Sequence, residues 1–314
     1  MSRARTRTKE FLAGILHKHP KSPKLPKLPE KPLAESSLPL RIGSNITIQD
    51  HNTFLNNYGS EGYKFYFELN TDNKTGSVYI IGMASPVHED VVHLLQKFFE
   101  VPNGEVIFSP PIKVSGQPFH FKPKGGGVKI APDVAVYPDT AFVPRPVASA
   151  IVPRPPSDEK GNPHARIVCE VSVGQTVCHL KKRCLTWMRQ QYVRAVISIK
   201  ILDPRLGIRE PRTGYFYRIM TAKLYRQGMQ GIEKQEWDFG NVIKNSRNPK
   251  GNPAPCNAPN LPGFQINIPI GEVFWDPPFP IPPGYAPAIP DAITVHNFTI
   301  DLYRIQQVAL KAEM

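Results

Sequence analysis

Cysteine is scarce in this chain, and the little there is does not pair by spacing. Cys169, Cys178, Cys184 and Cys256 are the whole set. They form neither a CxxC nor the paired spacing of a zinc site. They read as reduced thiols of an intracellular protein, which makes the N-x-T triplets at Asn45, Asn73 and Asn297 chance matches rather than glycan sites. Long apolar runs are missing too: nothing approaches the roughly 20 residues that a membrane-spanning helix needs. The segment "FLAGIL" is too short for a secretory signal and lacks a small-residue cleavage site. Acidic residues are in deficit, with 26 Asp and Glu against 39 Lys and Arg, a net charge of +13. Such a balance suits a nucleic-acid partner, since phosphate contacts dominate affinity there. A phosphate-cradling loop is absent as well. "KPKGGGVK" at 122–129 has no GK[ST] ending and precedes a strand, so it reads as a hairpin turn.

Proline is abundant, 35 in 314 residues, which implies many loops and extended segments because proline donates no backbone N–H. Residues 1–40 hold nine Lys or Arg against three Glu, +6 of the total. With so few large apolar residues the segment is expected to be a disordered basic arm. It could touch a phosphate backbone or carry a nuclear or organelle address; nucleus or cytoplasm is the expected compartment. Order is expected from residue 41. "KFYFELN" and "GSVYIIGM" read as strands joined by the turn "TDNKTG". "SPVHEDVVHLLQKFFE" reads as an amphipathic helix capped by Ser85, with Pro86 in its first turn and Val87, Val91, Leu94, Leu95 and Phe98 as its stripe. "GEVIFSPPIKV" and "VKIAPDVAVYPD" follow as strands. Next come the β-rich "ARIVCEVSV", the basic helix "QTVCHLKKRCLTWMRQQ" and the strand "RAVISIKILD".

Two of these strands are interrupted by acid. Asp133 follows Pro132 in "IAPDVAV", and Glu170 sits among Ile167, Val168, Val171 and Val173. Carboxylates on neighbouring buried strands repel unless a cation lies between them. Mg²⁺, or Mn²⁺, is the natural candidate: a hard ion with oxygen ligands that keeps several waters. Asp133 and Glu170 are therefore the expected metal ligands.

In this order the motifs resemble the PD-(D/E)XK nuclease superfamily, and more closely its branch of restriction-endonuclease-like proteins common in bacteria and expanded in fungi. The pieces that carry the resemblance are "FEL", "TGSVYIIGMASPVHEDV", "APDVAVYPD", "CEVSVGQT" and "KILDPR", spanning roughly 63–205. The resemblance implies an α/β fold, a mixed sheet flanked by helices, formed by 41–205. A β-rich, proline-rich extension over 206–314, of fungal type, would pack on it. It implies hydrolysis of DNA phosphodiester bonds, with Asp133 and Glu170 on the metal and His88 and Glu68 auxiliary. Subunit pairing is also implied, since such nucleases often use a homodimer to cut both strands.

The chain departs from that pattern at the lysine. Ser172 stands two residues after the glutamate, and Cys184 stands at the helix position where many branch members place a lysine. Lys181, one turn before Cys184 and about 60° from it around the helix, is the favoured replacement. Lys182 falls on nearly the opposite face, and Lys129 and Lys200 are the other options. Two rival readings stay open. One is a catalytically degenerate DNA-binding or scaffold module. The other is an interaction protein using the basic arm and "PPGY" at Pro282–Tyr285, a pattern that WW domains bind.

Overall fold

A computed structural model describes residues 25–312 apart from 32, 34–36, 60–61, 117, 122–126, 146–156, 174–175, 191, 229–230, 245–253 and 279. The chain opens with strand β1 (Leu40–Thr47) and helix α1 (Ile48–Tyr58), then the hairpin β2 (Tyr63–Leu69) and β3 (Thr75–Met83). These strands form a small antiparallel sheet in the order β1-β3-β2. The hairpin turn is built by its residues: the Asp72 carboxylate accepts the backbone N–H groups of Lys74 and Thr75, and Asn73 takes a left-handed φ of 54°. Part of the expected basic arm lies against this unit. Leu28 packs on its apolar cluster, and Lys27 donates its backbone N–H to Ile42 O at 3.4 Å. Residues 1–24 lie outside the described part.

Helix α2 (Pro86–Glu100) begins as its sequence dictates, with the Ser85 side chain accepting the His88 N–H. It buries Val87, Val91, Leu95 and Phe99. The strand expected over "GEVIFSPPIKV" is shorter than its composition suggested: only β4 (Ile112–Ser115) is extended, and Ile107 and Phe108 stand 84% and 90% exposed. Pro110 and Pro111 cannot donate to a ladder, so pairing starts after them, where the Asn103 amide brackets Ile112. A short hairpin of β5 (His120–Phe121) and β6 (Lys129–Ile130) follows. The turn between them, 122–126, lies outside the described residues.

Next come β7 (Val134–Pro138), β8 (Ile167–Ser172), α3 (Val177–Met188) and β9 (Ala195–Ile201). After them stand β10 (Arg205–Arg209), β11 (Phe216–Tyr217), β12 (Met220–Gly228) and β13 (Gly231–Asp238). The chain ends with β14 (Gln265–Pro269), β15 (Asn297–Asp301) and α4 (Leu302–Lys311). The main sheet has six strands in the order β13-β12-β9-β8-β7-β4. Within it β8 and β9 run parallel, joined by α3 as the crossover a parallel pair requires. Period-two alternation divides β8 between two cores. Ile167, Cys169 and Val171 face α2 and α4, while Val168 faces α3 with Leu180, Cys184 and Trp187. The protein is thus a mixed α/β structure. Residues beyond 205 are woven into it: β12 pairs with β9 from Met220 to Arg226, and α4 shares one apolar core with α2.

Candidate active site

Asp133 closes the turn into β7 and Glu170 sits in the middle of β8. Strand pairing brings them side by side: Val134 lies opposite Cys169, and the Asp133 N–H donates to Cys169 O at 3.1 Å. The same alternation that sends Cys169 and Val171 toward α2 turns Glu170 toward α3. Both carboxylates are buried, Glu170 completely. Burying them as ions requires partners, and each is met by several.

The cation between them is Lys64. Its Nζ lies 2.5 Å from Asp133 Oδ2 and 2.7 Å from Glu170 Oε2. Lys64 comes from β2, in the small sheet, at a point where pairing with β3 skips Ile81. Bulges of this kind re-aim a side chain. Arg183 of α3 adds a second cation, donating Nε–H to Glu170 Oε2 at 2.8 Å and holding Ala131 O with its NH2. Trp187 donates Nε1–H to Glu170 Oε1 at 2.6 Å. On Asp133, Oδ2 accepts the Val171 N–H at 2.6 Å, and His88 Nε2 stands 3.5 Å from Oδ1.

These contacts set the ionisation. Burial opposes the Asp133 charge, but Lys64, His88 and Arg183 outweigh it and hold the carboxyl well below the usual range. Burial also pulls His88 down. The Asp133 charge and hydrogen bonds to Asp133 and Glu89 prevail, raising the imidazole to about 9. Arg183 is likewise pulled down by burial and raised overall by Glu170 and Asp133. Two lobes of one cleft reach the site, and both are lined by Lys64 and Asp133. His88, Ser172 and Val173 line one lobe; Lys129, Phe119 and Arg183 line the other.

The lysines favoured by sequence fall elsewhere. α3 turns Leu180, Arg183, Cys184 and Trp187 inward, so Lys181 is exposed and lines neither lobe. Lys181 is therefore replaced at the carboxylates by Lys64, because 3.6-residue periodicity puts it on the solvent side. Lys182, also exposed, pairs with Glu68 at 3.3 Å, away from the carboxylates. Lys129 reaches Glu159 and Asn56. Lys200 is buried on the Glu170 face of the sheet and donates to Val173 O. Cys184 is buried, and burial together with the Glu170 charge pushes its thiol up to about 12. Lys64 left one sequence signal: it is four residues before Glu68, on the same face of an alternating strand. For Arg183 the signal was its place one turn before Trp187.

The donor chemistry suits a hard divalent cation. Mg²⁺ is commonly held by one or two carboxylates with water completing its shell, and the Lys64 ammonium stands between the two oxygens such an ion would use. Among the described residues, no group of three or more His, Cys, Asp or Glu is arranged to hold a metal. Elsewhere, in "PPGY", Tyr285 packs back on the protein. The Tyr285 ring meets Trp275 edge-on at 5.0 Å, and its hydroxyl accepts the Asp276 N–H at 3.2 Å. Among the described residues no helix is long and apolar enough to cross a membrane. No family model, curated protein or solved structure matches the chain.

Proposed function

We propose that the chain is a nuclease of the PD-(D/E)XK type that hydrolyses DNA phosphodiester bonds, with Asp133 and Glu170 holding Mg²⁺ or Mn²⁺. The observation that carries this reading is the Lys64 ammonium within 2.7 Å of both carboxylates. Two acids and an amine, the groups such chemistry uses, meet beside an open cleft. The order of elements supports it: α2, then β4, β7 and β8, then α3 and β9, with the acids entering β7 and within β8. A divalent ion bound there would lower the pKa of a coordinated water and offset charge building on the phosphate. Lys64, which lines both lobes, would pair with a phosphate oxygen. His88, protonated at neutral pH, keeps Asp133 ionised. The charge of +13 would hold DNA non-specifically.

A second reading is favoured by one observation. Arg183 and Trp187 already occupy Glu170, as they would in a purely structural network of a degenerate DNA-binding or scaffold module. Nicking of supercoiled plasmid with Mg²⁺ or Mn²⁺ separates the two. The nuclease reading expects cleavage by the wild type and none by Asp133→Ala or Glu170→Ala. Folded wild-type protein that binds DNA without cutting it would sink the nuclease and leave the module.

A further inference from the structure

Three donors already hold Glu170. Its Oε1 is taken by Trp187 Nε1, and its Oε2 by Arg183 Nε at 2.8 Å and Lys64 Nζ at 2.7 Å. An ionised carboxylate oxygen offers about two lone pairs, so Oε2 is full. Asp133 Oδ2 is in the same state, with Val171 N–H at 2.6 Å and Lys64 at 2.5 Å. The partner shared by both oxygens, and the only one of these donors that lines both lobes of the cleft, is Lys64. Trp187 is fully buried, Val171 is backbone, and Arg183 is pinned to Ala131 O and Phe65 O. Charge gives the same answer. Asp133 and Glu170 are already balanced by Lys64 and Arg183, and His88 by Glu89, so a divalent cation added to this set would bring two uncompensated charges into a buried site.

We propose that Lys64 is a built-in counter-cation of this site: its ammonium holds the two carboxylates together, and a divalent cation binds by displacing it. The displaced amine has room in the cleft, where its side chain is already 16% exposed. Cation binding and delivery of the amine to the phosphate-binding side are then one event. Lys64 lowers the affinity for the cation while making the bound state reactive. The inference rests on the reading that Asp133 and Glu170 take a divalent cation.

The test needs no cleavage. Mn²⁺ is titrated into the full-length wild type, Lys64→Met and Asp133→Ala, with free Mn²⁺ followed by its electron paramagnetic resonance signal. Removing the competing charge should tighten binding by Lys64→Met about tenfold or more, and Asp133→Ala should lose binding. A measurement on the wild type covers the case in which Lys64→Met does not fold. Acetylation by N-hydroxysuccinimide acetate is mapped by mass spectrometry, with exposed Lys181 as the internal reference. Mn²⁺ should raise the acetylation of Lys64 relative to Lys181. Wild-type binding of Mn²⁺ with no rise at Lys64, or with equal or weaker binding by Lys64→Met, overturns the displacement and leaves the metal site standing. No Mn²⁺ binding by any folded variant overturns the metal site itself.

Discussion

Two buried polar clusters flank Trp187, and they treat charge in opposite ways. On one side the carboxyl groups of Asp133 and Glu170 meet Lys64, Arg183 and His88, and all five are buried or nearly so. On the other, His120 and His164 lie with ring centroids 4.5 Å apart, edge-on to the indole. Each donates Nδ1–H to a backbone carbonyl, of Pro118 and Ala165, because a carbonyl only accepts. Among the described residues their Nε2 atoms have no partner. Burial holds both imidazoles neutral, taking His120 to about 4, and His164 is lowered further by His120 beside it. Both histidines and His88 are deeply buried, yet His88 is raised and the pair lowered. Burial opposes charge everywhere; what decides is whether an opposite charge faces the group.

Breaking the charged cluster has the largest expected effect. Glu170→Ala leaves Arg183 buried without its carboxylate, which costs about 3–5 kcal/mol, read as a lower urea midpoint at neutral pH. The neutral cluster is sharpened by acid. His120 has an ordinary value of 6.5 and a folded value of about 4, so the unfolded chain takes up its proton first. Stability falls as pH drops from about 6.5 to about 4, by roughly 3 kcal/mol from this residue, and its share levels off below that. His88 has the opposite sign: raised to about 9, it loses its contribution as pH climbs from 6.5 through 9. Urea unfolding across pH 4–9 should show both limbs, and His120→Phe should flatten only the acid one. Trp187→Phe joins the two regions and has the smallest effect. It removes one N–H from a buried carboxylate oxygen, about 1–3 kcal/mol, while leaving an aromatic ring against the histidines. A loss with the same pH profile as wild type checks it.

Much of the local structure was legible. The Ser85–Pro86 start of α2, the Asp72–Asn73 turn and the acids that precede β7 and interrupt β8 are all written in residue types with short-range consequences. The strand "GEVIF" was misread because apolar composition alone does not say whether neighbouring prolines leave any donors for a ladder. Lys181 was favoured for standing one turn before Cys184, and Lys64, 106 residues from Glu170, was not among the candidates. Helical phase could have demoted Lys181, and the one local signal for Lys64, its strand face shared with Glu68, does not point to Asp133 or Glu170.

The sequence by itself determined that two carboxylates would enter adjacent apolar strands and that some cation would have to meet them, because unpaired buried charge is too costly to keep. Which cation meets them was decided only by tertiary structure. Docking of the β1-β3-β2 sheet beside the main one carries Lys64 to the pair, and the phase of α3 turns Arg183 inward and Lys181 outward. Short-range chemistry acts on neighbours along the chain and can be read from it. Charge compensation acts through space, and its partners exist only once the chain has folded.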